Sequence, residues 1–314
     1  MSDSPIDPQI PMPRQSALGR WMRRNPVTLK ELRGRMRGTR AVVVLTGYVL
    51  VMSGFVVLLY IIYSTSASLT LSTTGGVIGK VIFSGVVAVE LFMVSFIAPA
   101  FTTAAVSGER ERRTFELLRT TLLPARRIVF GKLVSALAYI VLLLFVAVPL
   151  QSLAFLMGGV TIEEVLLSIE LLLVTAIAYG TVGIFFSAWT KRTLSASILT
   201  YSFALIMTLA LPLGLLALLP ITAFGFGSFY DQPLLEALLT YTFGLLASIN
   251  PITAGVLTEV VLLQNGTAFY FTQTLSNGTT LPLISPWIVF TVVYLIGSVV
   301  LLSFSVRFVR RTEV

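Results

Sequence analysis

Cationic side chains and long apolar runs are sharply segregated along this chain. Of its 22 Lys and Arg residues, 21 fall in four short segments. Nine precede Ala41 (Arg14, Arg20, Arg23, Arg24, Lys30, Arg33, Arg35, Arg37 and Arg40). Seven lie between Ser107 and Lys132, two are Lys191 and Arg192, and three are Arg307, Arg310 and Arg311. Only Lys80 is left over. The stretches between clusters are apolar and reach the roughly 20 residues that a membrane-crossing helix needs. Moving cations across a bilayer during insertion is unfavourable, so positive segments stay cytoplasmic. The pattern predicts an all-α polytopic membrane protein with six transmembrane helices. It places both termini in the cytoplasm and the chain in a cell (inner or plasma) membrane.

Composition excludes several function classes. The apolar fraction is 56% and the charged fraction 11%, where soluble domains carry about 25% charged residues. The net charge of +8 borders apolar spans, so its expected neighbours are membrane lipids and the acidic surface of a cytoplasmic partner, not nucleic acid. There are no cysteines and no histidines. Disulfides, thiol chemistry, the usual zinc sites and a Ser-His-Asp triad are therefore outside its reach.

The predicted spans cover 41–63, 81–106, 128–156, 165–189, 194–222 and 287–308. Residues 1–19, with Pro5, Pro8, Pro11 and Pro13, read as a disordered tail and not as a signal peptide. Residues 20–40 read as an interfacial amphipathic helix, 41–308 as one six-span membrane domain, and 309–314 as a cytoplasmic tail. External loops are expected at 64–80, 157–164 and 223–286. The last is long and apolar over 234–246 and 252–263. Its first apolar piece is shorter than the 17 or so residues of a span, so short helices at or in the outer leaflet are expected. Asn250-Pro251 breaks them, because proline disfavours helix in the residue before it. Asn277-Gly278 suits a tight hairpin turn.

Two basic segments carry the functional reading. Asn25-Pro26 opens a helix with Leu29, Leu32 and Met36 on one face and Lys30, Arg33 and Arg37 on another. Such a helix lies in the membrane interface. A plain positive anchor is the alternative. The second segment, Ser107 to Lys132, interleaves Glu109, Glu111 and Glu116 with Arg110, Arg112, Arg113 and Arg119. Phe115, Leu118 and Leu122 recur at helical spacing, which gives a short helix with an apolar ridge. A loop of this size with its own helix suggests a docking surface, the alternative being a solvated charged loop.

The order Ser-Gly-Glu-Arg-Glu-Arg, Thr-Phe-Glu-Leu-Leu, Leu-Pro-x-x-Arg and Gly-Lys-Leu resembles the signature of the type-2 ABC-transporter permease family. The Asn25-Pro26-Val27 and Lys30-Glu31-Leu32-Arg33 stretch resembles the family's N-terminal Asn-Pro-x-x-x-Lys-Glu-Leu-Arg. Two departures are Arg113, where glycine is common, and Leu122-Leu123-Pro124 in place of Thr-Pro-Leu. The resemblance implies the permease subunit of an ATP-driven exporter, working by alternating access. It implies a cytoplasmic coupling region over 107–127, with Ser107, Gly108, Glu109, Arg110, Glu111, Arg112, Thr114, Phe115, Glu116, Leu118 and Arg119 toward the ATPase. The interfacial helix would then present Asn25, Pro26, Lys30, Glu31, Arg33 and Arg37, and 223–286 would form an external lid. The implied partners are a cytoplasmic ABC ATPase and a second permease subunit, identical or related.

This chain is not expected to be an enzyme. No G-x-x-x-x-G-K-[ST] occurs; at Gly79-Lys80, Thr74 stands where the first glycine belongs and Val81 where Ser or Thr belongs. No cofactor is expected on it, and ATP and Mg would sit on the partner ATPase. Glu90 reads as the one carboxylate well inside a span, roughly 14 Å deep at 1.5 Å per residue. It either lines a cavity or bonds a neighbouring helix. Tyr201 and Thr208 are further cavity candidates. The alternatives to an ABC subunit are a stand-alone secondary transporter and a membrane scaffold.

Overall fold

The computed structural model describes residues 39–67, 75–114, 124–217, 233–275 and 277–311, together with Gly34. The expected tail over 1–19 lies outside the described residues, as do Asn25, Pro26, Lys30, Glu31, Arg33 and Arg37. So do Phe115, Glu116, Leu118, Arg119 and Leu122.

Among the described residues, six helices are long and apolar enough to cross a membrane. They contain α1 (Thr39–Ala67), α2 (Gly75–Thr102), α4 (Ala125–Leu156), α5 (Ile162–Trp189), α6 (Thr193–Leu205) and α9 (Pro286–Arg311). A five-residue helix, α3 (Ser107–Glu111), follows α2. Past Leu205 the α6 rod widens into a π-helical turn at Ile206–Ala210 and is described as helix as far as Ala217. Between α6 and α9 come α7 (Pro233–Ser248), α8 (Pro251–Asn265) and an antiparallel hairpin of β1 (Tyr270–Thr274) and β2 (Thr280–Ile284). The chain is thus a multi-pass helical membrane protein. The described cations of the later basic clusters, from Arg110 to Lys132, Lys191 with Arg192, and Arg307 with Arg310, lie at the ends of α2, α4, α5, α6 and α9 that meet at one end of the bundle, here the basic end. Helices α7 and α8 and the hairpin lie at the far end.

The structure differs from the sequence reading at several places. The α2 helix begins at Gly75, so Lys80 is helical and not part of a loop. The α5 helix begins at Ile162, because Thr161 and Glu164 form a capping box: each side chain bonds the other's backbone N–H at 3.3 Å. The final connection adds a β-hairpin to the expected short helices. Asn277-Gly278 sits in its turn, with Gly278 at φ +80°.

Helix α5 is the centre of the bundle and packs on α9, α2, α6 and α4. Within its apolar window 61% is buried, against 11% for α1. Leu91, Val94 and Ala98 of α2 meet Leu172, Ala176 and Tyr179 of α5 and Phe290 and Tyr294 of α9. Small residues permit the closest approach. A Cβ on Gly183 would sit 2.0 Å from Thr102 Oγ1, so only glycine lets α2 and α5 cross there. Helix α1 joins at the side, through Tyr48 and Met52 against Ile82, Val86 and Leu143.

The α7–α8 pair bends by 119° at its break. Asn250 makes the second helix possible. Its Oδ1 accepts the N–H groups of Ile252 at 2.8 Å and Thr253 at 3.0 Å, with Pro251 in the first helical position.

Candidate functional site

At the basic end, two helix N-termini lack a local side-chain cap, and neighbouring helices supply bonds to one another's ends. The α3 N-terminus has no local side-chain cap. Ser187 of α5 supplies it: its Oγ accepts the N–H groups of Val106 at 2.9 Å and Ser107 at 3.0 Å. Ser107 and Ser187 are both fully buried, with hydroxyl oxygens 3.1 Å apart. The C-terminus of α5 receives Arg110, whose Nη1 donates to the carbonyls of Ala188 and Thr190, each at 3.2 Å. A cation there also meets the negative end of the helix dipole. The α6 N-terminus again has no local cap. Glu111 provides it, accepting Thr193 N–H at 2.8 Å and Thr193 Oγ1–H at 2.7 Å.

Glu109 turns toward α4. Lys132 Nζ lies 3.3 Å from its Oε1, and Thr114 Oγ1 donates to its Oε2. The Lys132 side chain is almost entirely buried. Consecutive residues Glu109, Arg110 and Glu111 therefore fix α3 to α4, α5 and α6 in turn. Gly108 lies close to α6, where a Cβ would be 3.7 Å from Thr193 Cγ2.

The end of α3 explains a departure noted in the sequence. Thr114 N–H bonds the Glu109 carbonyl at 3.0 Å and Arg113 N–H bonds that of Arg110 at 3.1 Å. This is the Schellman pattern, whose C′ residue is left-handed and usually glycine. Arg113 occupies that position at φ +57°.

The predicted coupling residues thus divide. Ser107, Glu109, Arg110 and Glu111 bond the chain's own helices. Arg112 and Arg113 are exposed.

The three candidate cavity residues are not brought together. Glu90 is fully buried and accepts Gln151 Nε2–H at 2.7 Å. That bond joins α2 to α4. Tyr201 stacks on Phe96 with ring centroids 6.4 Å apart. Thr208 is buried in the π-helical turn, 3.1 Å from the Tyr179 hydroxyl. A second carboxylate, Glu170, also lies inside α5 and accepts from Thr291 of α9. Glu90 is therefore not the one carboxylate within the spans.

Sequence reasoning missed the far-end cluster. Lys80 Nζ lies 3.0 Å from Glu164 Oε1 and 2.9 Å from Glu259 Oε1. One ammonium so joins α2, α5 and α8. The signal was present in part, since Lys80 was the one cation outside the basic segments and Thr161 with Glu164 spells a capping box. Beside the cluster is a cavity of about 280 Å³ between these three helices. Among the described residues no group of His, Cys, Asp and Glu could hold a metal ion. Comparison with known families and with curated proteins returned no match for this chain.

Proposed function

We propose that this chain is the membrane subunit of an ATP-driven ABC transporter, an exporter of the type-2 permease kind. Its basic end faces the cytoplasm and meets a separate ATPase, which binds ATP and Mg. A second permease subunit completes the pathway in the cell membrane. The sequence resemblance over Ser107 to Lys132 motivates the reading. The observation that carries it is the interlocked capping at α3. A force applied to the exposed Arg112 and Arg113 reaches α4, α5 and α6 together, because Glu109, Arg110 and Glu111 each grip one of them. Short charge-assisted hydrogen bonds between helix termini transmit displacement better than a flexible loop would. Alternating access needs such a handle: closure of the ATPases rocks the helices as a body.

The test is mild detergent extraction of the tagged chain with mass spectrometry of what accompanies it. The expected result is a stoichiometric ABC ATPase. Arg112→Glu with Arg113→Glu should then release the ATPase. Ser187→Ala should retain it while weakening the permease-dependent change in its activity. Recovery without an ATPase under several mild conditions would sink the reading.

A stand-alone secondary transporter is the second reading. Two carboxylates within the spans, Glu90 and Glu170, favour it, since ion-driven transporters use ionisable groups there.

A further inference from the structure

The cavity at the far end has one apolar length and one charged rim. Phe83, Val87 and Leu91 of α2 line it at four-residue spacing. The eight helical steps from Phe83 to Leu91 span about 12 Å at 1.5 Å per residue. Leu167 and Leu171 of α5 and Val256 of α8 supply facing walls. Gly255 lets α8 sit low: a Cβ there would lie 3.3 Å from Leu171 Cδ2. Val256 is exposed, so the trough opens at the bundle surface.

Glu164 and Glu259 belong to the same lining. Lys80 neutralises one of these two carboxylates, which leaves the rim with one surplus negative charge. The second oxygen of Glu164 accepts Thr161 N–H at 3.3 Å. The second oxygen of Glu259 has no partner among the described residues, and Glu259 keeps partial solvent access. An apolar trough of this length that ends at an unfilled carboxylate oxygen matches a chain with a cationic end.

We propose that this cavity binds a single-chain amphiphile with a primary ammonium head. Its alkyl chain lies along Phe83, Val87 and Leu91, and its ammonium donates to the free oxygen of Glu259. Sulfate and carboxylate heads meet the surplus negative charge and are disfavoured. Neutral heads gain only the apolar contact. The proposal is independent of the transport reading and of any ATPase.

Trp287 lines the cavity and reports on it. The chain has 3 tryptophans, so Trp21→Phe with Trp189→Phe leaves Trp287 as the fluorophore. In lipid nanodiscs this full-length chain is titrated with ω-bromodecylamine, ω-bromodecanol and ω-bromodecyl sulfate, whose bromine quenches indole on contact. A companion chain retaining Trp189 alone measures simple partitioning. The amine is expected to quench Trp287 saturably, at about fivefold lower concentration than the alcohol, the value of one solvent-accessible ion pair. The sulfate should follow only the partitioning curve. Glu259→Gln should bring the amine to the alcohol's concentration and leave the alcohol unchanged. Equal quenching by all three heads, or quenching of Trp287 that rises without saturation as at Trp189, overturns the proposal. The head-group series on the unsubstituted cavity keeps the test valid if Glu259→Gln proves unstable.

Discussion

At the basic end of the bundle, Glu109, Arg110 and Glu111 each reach a different helix. At the far end a single ammonium, Lys80, holds two carboxylates from two different helices. The first arrangement is mostly short directional bonds to helix termini, in which Arg110 and Glu111 bond terminal backbone groups, with one buried ion pair, Glu109 to Lys132, beside them. The second is a hub of point charges around one flexible side chain, next to an open trough. Hydrogen bonds to orphan N–H and C=O groups fix both distance and angle. A lysine ammonium is a rotatable point charge that tolerates displacement of its partners. The basic end is therefore built as one rigid piece. The far end is built so that α8 can shift against α2 and α5 while remaining attached.

The sharpest way to break this contrast is at Ser187. Ser187→Val removes the acceptor of two buried N–H groups and is expected to cost about 3 kcal/mol. It should appear as a lowered thermal midpoint, which Ser187→Thr largely restores. Lys80→Met should cost less, about 1 kcal/mol, because its ammonium is partly solvated. Its signature is local: faster amide exchange in α8, with α5 unchanged. An equally large fall in global stability would show that both ends are rigid and erase the distinction. Glu111→Gln keeps the size of the side chain but removes its charge. Faster exchange at the first turn of α6, with little change in melting, is the expected outcome. The smallest effect is at Arg113. Arg113→Gly relieves a left-handed conformation worth about 1 kcal/mol but adds about as much chain entropy to lose on folding. Melting should stay level or rise slightly, whereas Arg113→Val should lower it.

The spans were legible because a bilayer imposes a length and a polarity that any 20-residue run either meets or fails. The α7–α8 break was legible for a local reason, since Asn250 and Pro251 are adjacent and act on their own backbone. Asn277-Gly278 gave the hairpin turn, but not the strands. Tyr270–Thr274 and Thr280–Ile284 are short and mostly exposed, so no apolar alternation marks them. The charged segment after α2 was legible as unusual, while the direction of its side chains was not. Glu111 finds Thr193, and Arg110 finds the carbonyls of Ala188 and Thr190, only once α5 has been laid against α2. Sequence offers no sign of that contact except the glycines that permit it. Lys80 illustrates the same limit, for its charge was conspicuous but its partners are contributed by separate helices.

The π-helical turn at Ile206–Ala210 has a consequence for length. Such a turn closes its bonds one residue later than an α-helical turn, so it holds one residue more than the same rise would need. That surplus turns the Met207 carbonyl out of the regular ladder, and the Asn250 side chain donates to it. The deepest point of the α7–α8 pair is thus hooked to α6 by a residue count. Shortening α6 by one residue within this turn would restore a plain helix and return the Met207 carbonyl to the regular ladder. The hook would then have nothing to hold, although no residue of α7 or α8 had changed.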